Sequence, residues 1–141
     1  MYSNILLAVD LNQESSWSRA LPMAVGHCEA YAARLHLLTV VPDFGMPIVG
    51  GFFPEDFAKK ALADARARLD SFARDKVPEN VACNAIVRQG TVYEVILAVA
   101  QAVGADLIVT ASHRPEHKDY LLGPNAARVV RHAGVSVLVV R

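Results

Sequence analysis

The side chains able to do polar chemistry close together in this sequence gather between Ala105 and Ala127, in ADLIVTASHRPEHKDYLLGPNAA. Ser112, His113, Arg114, His117 and Lys118 follow a short apolar run there, and Gly123-Pro124 opens a helix-forming segment. A helix beginning at that point leaves its first backbone N–H groups without intrahelical partners, and such a terminus attracts anions. Pro124 has no N–H to give, so Asn125 and Ala126 would supply the donors, with Arg114 adding a charged planar fork. Asp10 is the second group of interest, because it stands where the first apolar run ends. Its carboxylate could accept hydrogen bonds from ribose hydroxyls or an adenine amino group, or it could cap the helix that follows. Both readings stay open on the residues alone.

Other reactive side chains point to less chemistry. His113 reads as a loop residue held by a local hydrogen bond, since no paired nucleophile lies within reach by sequence. His132 reads as a structural residue at a helix end. Cys28 and Cys83 are too distant for a two-cysteine metal motif and read as buried free thiols. Glu116 and Asp119, the acids of the loop, make no carboxylate cluster for Mg2+. A binding module is therefore favoured over a hydrolase or phosphotransfer enzyme. Gly-x-Gly-x-x-Gly after the first strand and Gly-Lys-Ser/Thr are both missing, and Asp10-Leu11 with Gln89 do not supply the acids of a receiver domain.

These groups must be positioned by a chain of 141 residues, which suits one domain over 1–141. Apolar residues make up 53%, so much of the chain has to be buried. Lys plus Arg and Asp plus Glu both number 14, so no global field draws the protein to nucleic acid or to a membrane. No run is long enough to span a bilayer, and MYSNILLAVD lacks the basic start of a signal peptide. A cytoplasmic location is expected.

Continuous apolar runs predict strands at Ile5–Val9 and Leu107–Val109, as in strands covered on both faces, and Leu35–Val41 is a further strand, stopped by Pro42. Val81–Arg88 is more mixed and predicts an edge strand, and Val135–Val140 ends the series. Between them, Trp17, Leu21, Val25, Cys28 and Ala32 recur at helical spacing, after possible N-caps between Asn12 and Ser18. A second helix starts near Pro54, with Phe57, Ala61, Ala65, Leu69 and Phe72 as its buried stripe, and stops at Val77-Pro78. Its charged face, Arg68 included, reads as solvated surface. Thr91 and Glu94 have capping-box spacing for a third helix ending at Gly104, and a fourth spans Pro124 to His132. The apolar stretch 43–54, DFGMPIVGGFFP, is a flap over the core, a ligand lid or a partner surface.

Strand and helix alternate, which predicts an α/β fold: an open, doubly wound, five-stranded parallel sheet with helices on both faces. The order 3-2-1-4-5 puts the two most uniformly apolar long runs in the centre and the mixed strand at an edge. The ligand crevice of such a sheet lies where the winding reverses, between strands one and four, so that Asp10 faces the loop from Ala111 to Gly123. Strand five is apolar on both faces and lies at the other edge, which invites pairing. Antiparallel pairing of Val135, Val137, Leu138, Val139 and Val140 across a two-fold axis would give a homodimer.

The segments ASHRP and YLLGPNAARVVRHAGVSVLVVR resemble the C-terminal half of the universal stress protein family, in its short, single-domain F/G type. The resemblance implies the same sheet order, dimer pairing through the last strand, and an adenine nucleotide-type domain that holds AMP or ATP, with Mg2+ as a possible companion. It implies that Asp10 contacts the nucleoside, that Ala8 and Val40 flank the base and that Ala111 meets the ribose. The family's phosphate cradle is Gly-x-x-Gly followed further on by Gly-Ser/Thr. Here Ala111 and Arg114 replace the first two glycines, Gly123 keeps the third, and Pro124 replaces the hydroxyl residue. With their neighbours Val9, Thr110, His113, Asn125 and Ala126, these residues form the candidate nucleotide-binding set. The departures leave two alternatives beside nucleotide binding: an interaction protein that has lost its ligand, and a slow ATP hydrolase.

Overall fold

The computed structural model of the chain describes residues 1–42, 54–112 and 124–141. Its elements are β1 (Asn4–Ala8), a short 3-10 turn (Glu14–Ser16), α1 (Ala20–Tyr31), β2 (Arg34–Val41), α2 (Pro54–Lys76), β3 (Cys83–Gln89), α3 (Val92–Ala102), β4 (Leu107–Ala111), α4 (Pro124–His132) and β5 (Ser136–Val140). The five strands form one sheet in the order β3-β2-β1-β4-β5, and every pairing is parallel. The predicted strand order is the observed one.

Successive side chains of a strand point to opposite faces, so a strand buried on both must be apolar throughout. Ile5, Leu6 and Leu7 of β1 have no exposed surface at all. Ile5 and Leu7 join Leu35, Leu37, Leu107 and Val109 under α1 and α2, where Ala24, Cys28 and Leu69 close the layer. Leu6 joins Leu38, Ile86 and Ile108 under α3 and α4, covered by Ile96, Val99 and Val129. Each such leucine or isoleucine contributes about 1.5–3 kcal/mol through burial. β3 is mostly half-buried, as its mixed sequence predicts for an edge strand, and Val137, Leu138 and Val139 on β5 are half-buried too.

Local details differ from the sequence-based reading in three places. α1 begins at Ala20, preceded by the 3-10 turn, and has no side-chain N-cap. Of the possible caps ahead of it, Ser16 is used within the preceding loop and the Asn12 side chain accepts from Arg68 of α2. Thr91 is extended and precedes α3, but its side chain makes no capping bond, and Glu94 instead accepts a hydrogen bond from the Tyr93 hydroxyl at 3.2 Å. On α2 the buried stripe is shorter than predicted: Leu69 is buried and Phe72 half-buried, while Phe57 is exposed.

The corners that deliver the strands need special backbone. Gly90 follows β3 with φ +144, its N–H donates to the Val41 carbonyl at 3.0 Å, and a Cβ there would lie 2.9 Å from Val95. Ala32 ends α1 in the left-handed region at φ 55, a conformation that costs a residue with a Cβ about 1–2 kcal/mol.

Candidate functional site

β1 and β4 are neighbours, yet the chain leaves β1 through α1 on one face and leaves β4 through α4 on the other. The two crossovers part at the carboxyl ends of these strands and leave a crevice, the place where open α/β sheets bind ligands. Ala8, Val9, Asp10, Thr110 and Ala111 sit at those ends, Val40 sits beside them on β2, and Pro124, Asn125 and Ala126 begin α4 at the same end of the sheet. The expected residues on the strands and on α4 are thus brought to one rim. His113, Arg114 and Gly123 lie outside the described residues, as does the stretch 43–53.

Asp10 is exposed at the rim and tightly held from behind. Its backbone N–H donates to Ser16 Oγ at 2.8 Å, and the Ser16 hydroxyl lies 2.9 Å from the Asp10 carbonyl and 2.7 Å from that of Gln13. Gln13 N–H also donates to the Asp10 carbonyl at 3.0 Å. On the side chain, Oδ1 accepts the Asn12 N–H at 2.9 Å, the bond of an Asx turn. The carboxylate therefore shapes its own loop and does not cap α1, whose N-cap residue is Arg19. Among the described residues Oδ2 has no hydrogen-bond partner.

Two further groups fix this loop, and sequence reading missed the first. Arg68 of α2 donates to the Leu11 carbonyl at 3.3 Å and to Asn12 Oδ1 at 3.1 Å. Trp17 meets Phe72 edge-on at 5.1 Å, with the Lys76 ammonium 5.4 Å from the indole centroid. Arg68 has the sequence signature of any charged residue on a helix surface, so nothing in the pattern singles it out. Ser16 stands among several polar residues of equal promise.

Around Asp10 the floor is neutral. Val9 is buried, with its N–H on the Leu38 carbonyl at 2.8 Å and its own carbonyl accepting the Thr39 hydroxyl at 2.7 Å. Thr110 and Ser112 are buried as well, and Ser112 N–H is tied to the Val140 carbonyl at 3.0 Å. Ala8, Val40 and Ala111 are half-buried, so small apolar surface faces the crevice at the three strand ends. On α4, Pro124 is exposed, Asn125 half-buried and Ala126 buried. On the α1 side of the β4 end a cleft of about 210 Å3 opens between Ser15, Ser18, Arg19, Ala111, Val140 and Arg141. A shallower, mainly apolar groove of about 600 Å3 runs beside β5, lined by Pro22, Met23, Leu138 and Val139 among others.

Burial, then the neighbouring Cys83 and Glu29, push the Cys28 thiol up to about 11, and burial raises Cys83 too, so neither is a ready thiolate. Both are free thiols, Cys28 buried and Cys83 half-buried. Among the described residues no three His, Cys, Asp or Glu side chains cluster to hold a metal ion. Among the same residues no helix is long and apolar enough to cross a membrane.

The comparisons agree with this architecture. The profile of the Universal stress protein family matches residues 1–141. Universal stress protein G of Escherichia coli O157:H7 is 31% identical over 146 aligned positions that take in 100% of both chains. A solved protein of the universal stress protein family from Burkholderia pseudomallei is 28% identical, with a TM-score of 0.70 over 99% of this chain and 96% of that one. A universal stress protein solved in complex with cAMP is 22% identical and has a TM-score of 0.63 over 99% and 97% of the two chains, a likeness of fold.

Proposed function

The chain belongs to the universal stress protein family, and from that premise we propose that it is a binding module for an adenine nucleotide, AMP or ATP, held across the carboxyl ends of β1 and β4. The observation that carries this reading is Asp10. An exposed carboxylate is locked by main-chain and Ser16 bonds at the switch point of the sheet, with Oδ2 unpartnered among the described residues. A group so placed accepts hydrogen bonds from the ribose hydroxyls or the adenine amino group, and needs no rearrangement to do so. The half-buried Ala8 and Val40 suit the flanks of a flat base, and Ala111 lets a sugar approach the end of β4. Asn125 and Ala126 offer the first N–H groups of α4, with Arg114 and His113 in the preceding segment as further phosphate contacts. Mg2+ would travel with the phosphates. A solved member of the fold that holds cAMP is in keeping with the ligand class.

In this reading the protein acts in a stress response as a homodimer in the cytoplasm. Support for the dimer comes from β5: a half-buried apolar edge strand, Val135 38% exposed before it, and an apolar groove alongside. Antiparallel pairing of two β5 edges would cover Val137, Leu138, Val139 and Val140 in an isologous contact.

Three measurements test the proposal. Purified protein is denatured and the supernatant analysed by mass spectrometry, and refilled protein is titrated with AMP and ATP by calorimetry. Retained or rebound adenine nucleotide is the expected result, and absence of both overturns the nucleotide reading. Sedimentation of wild type and Val139→Lys tests the dimer, with a wild type that stays monomeric at high concentration overturning it.

A further inference from the structure

α4 turns a different kind of residue to each side. Arg128 and His132 lie against Tyr93 of α3, with the guanidinium 5.1 Å and the imidazole centroid 6.2 Å from the ring centroid. Val129 has no exposed surface and belongs to the cluster with Ile108 of β4, against which Val137 of β5 packs. Residues turn by about 100° each along a helix, so Val130 stands about 200° round from Arg128, on the side away from α3. That side is the β5 edge of the sheet. Val130 is 44% exposed there, and Ala127, one turn earlier, is half-buried. Arg131 follows on the outer rim of the same side, exposed and without a hydrogen-bond or ion-pair partner among the described residues. On the opposite face of the sheet, Met23 is 44% exposed beside Leu138 of β5. Uncovered apolar side chains thus flank one edge strand on both faces. A second copy paired along that edge covers both at once, whereas an occupant of either face alone leaves the other bare.

Pairing two β5 edges brings the two α4 helices together as well. α4 links β4 to β5 and lies over both, so the two axes come two strand spacings apart, about 9.6 Å. That is within the roughly 8–10 Å at which helices pack. The two-fold makes them antiparallel. With Ala127 set against the partner's Val130, Arg131 of the partner subunit comes level with Ala126, on the solvent side beside Pro124. The chain's own Arg131 lies seven residues from Pro124, about 10 Å farther along the axis. From this we infer that the phosphate end of the nucleotide site is completed in trans, by Arg131 of the partner subunit. The α4 terminus has need of it: Pro124 lacks an N–H, so Asn125 and Ala126 supply the remaining donors. A cation beside the positive end of a helix is repelled until an anion sits between them. Phosphate binding and dimer formation therefore strengthen one another.

This inference rests on the nucleotide and dimer reading above, and the test separates the two. Calorimetry of the full chain with adenosine, AMP and ATP is run on wild type and Arg131→Gln, with sedimentation alongside. Arg131→Gln should remain a dimer and weaken ATP about tenfold, the loss of one charge-assisted contact. AMP should weaken less and adenosine not at all. ATP should tighten the wild-type dimer and adenosine should not, and Arg131→Gln should lose that response. Mixing then shows whether the arginine acts in trans. Asp10→Ala chains lack the nucleoside contact but still carry Arg131. In a mixed dimer with Arg131→Gln, one site has both Asp10 and Arg131 of the partner subunit. Once native mass spectrometry shows mixed dimers, the two weak variants together should recover sites of wild-type ATP affinity. Absence of that recovery overturns the inference, as does an equal loss for adenosine and ATP in Arg131→Gln. Val130→Asp, at an exposed position, should loosen the dimer and ATP binding together, and a dimer as tight as wild type removes the helix contact on which the placement depends. A wild type that stays monomeric, or binds no adenine nucleotide, removes the earlier reading and this inference with it. A wild-type dimer that binds ATP no better than Arg131→Gln removes this inference alone.

Discussion

The two ends of the sheet treat their polar side chains in opposite ways. At the amino end, His36 is buried on β2 with both ring nitrogens engaged: Nε2 lies 2.9 Å from Asn4 Oδ1, and Nδ1 lies 3.3 Å from Asn84 Nδ2. That pairing selects the neutral imidazole with its proton on Nε2, and burial, followed by the charge of Arg34, pushes its pKa down. Beside it the Asp106 carboxylate takes the Ser3 N–H at 2.8 Å and the Asn4 N–H at 3.0 Å, and so ties β1 to β4. At the carboxyl end, Asp10 Oδ2 and the hydroxyls of Ser15 and Ser18 have no hydrogen-bond partner among the described residues. Polar groups that satisfy each other stabilise a fold. Polar groups held in place yet unsatisfied are available to something outside it.

The sharpest way to break this contrast is to exchange the consequences of mutation at the two ends. His36→Ala removes a buried ring and strands the amides of Asn4 and Asn84, so it should cost about 2–4 kcal/mol of stability. Urea unfolding measures the loss, and AMP affinity of the folded variant should match that of wild type. Asp10→Ala should do the reverse. Loss of a charged hydrogen bond worth about 1.5–3 kcal/mol weakens AMP and ATP equally, roughly tenfold to a hundredfold, while the urea midpoint moves little. Should Asp10→Ala unfold the protein as His36→Ala does and leave affinity alone, the rim is structural and the contrast collapses.

Acid sharpens the comparison, because both amino-end groups titrate and their signs can be worked out. His36 has a folded pKa below its ordinary 6.5. The unfolded chain takes up the proton first, so this contribution is complete above about pH 6.5 and is lost as pH falls towards the folded value. For Asp106, burial alone would raise the pKa, but the bonds from the Ser3, Asn4 and Asp106 N–H groups more than reverse it, to below 3.8. Its contribution is present above about pH 4 and is lost further down, modestly, since the group is largely solvent-screened. Urea midpoints should therefore decline in two steps on acidification. The upper step should vanish in His36→Asn, and its persistence would assign it to another group.

The smallest expected effect lies at the carboxyl end. Arg68→Ala leaves Asp10 in place but frees the Leu11–Asn12 carbonyl side of its loop. AMP affinity should fall about threefold, the scale of an exposed charge-assisted bond, with the urea midpoint within error of wild type. Arg68→Lys should recover part of the loss. An unchanged affinity for Arg68→Ala would mean that Ser16 alone sets the Asp10 loop.

Much of this molecule was legible in its sequence, for reasons particular residues make plain. Ile5-Leu6-Leu7 and Leu107-Ile108-Val109 lack alternation because both faces of their strands are covered, and that alone made them central. Their centrality is satisfied by the order that the family resemblance implies, and the observed order puts the switch point between β1 and β4 and brings Asp10, Ala111 and Pro124 to one rim. Periodicity and turn residues settle such matters because burial acts on every residue of an element at once. The choice of hydrogen-bond partner was decided by tertiary structure alone. Arg68 reaches a carbonyl 57 residues away, His36 meets Asn4 and Asn84 from 32 and 48 residues away, and Arg19 meets the Arg141 oxygen across 122. A polar side chain looks the same in sequence whether it ends in water, against a neighbour or over a ligand. Its fate depends on a few ångströms set by how the covered strands and helices stack, and no local pattern records that distance.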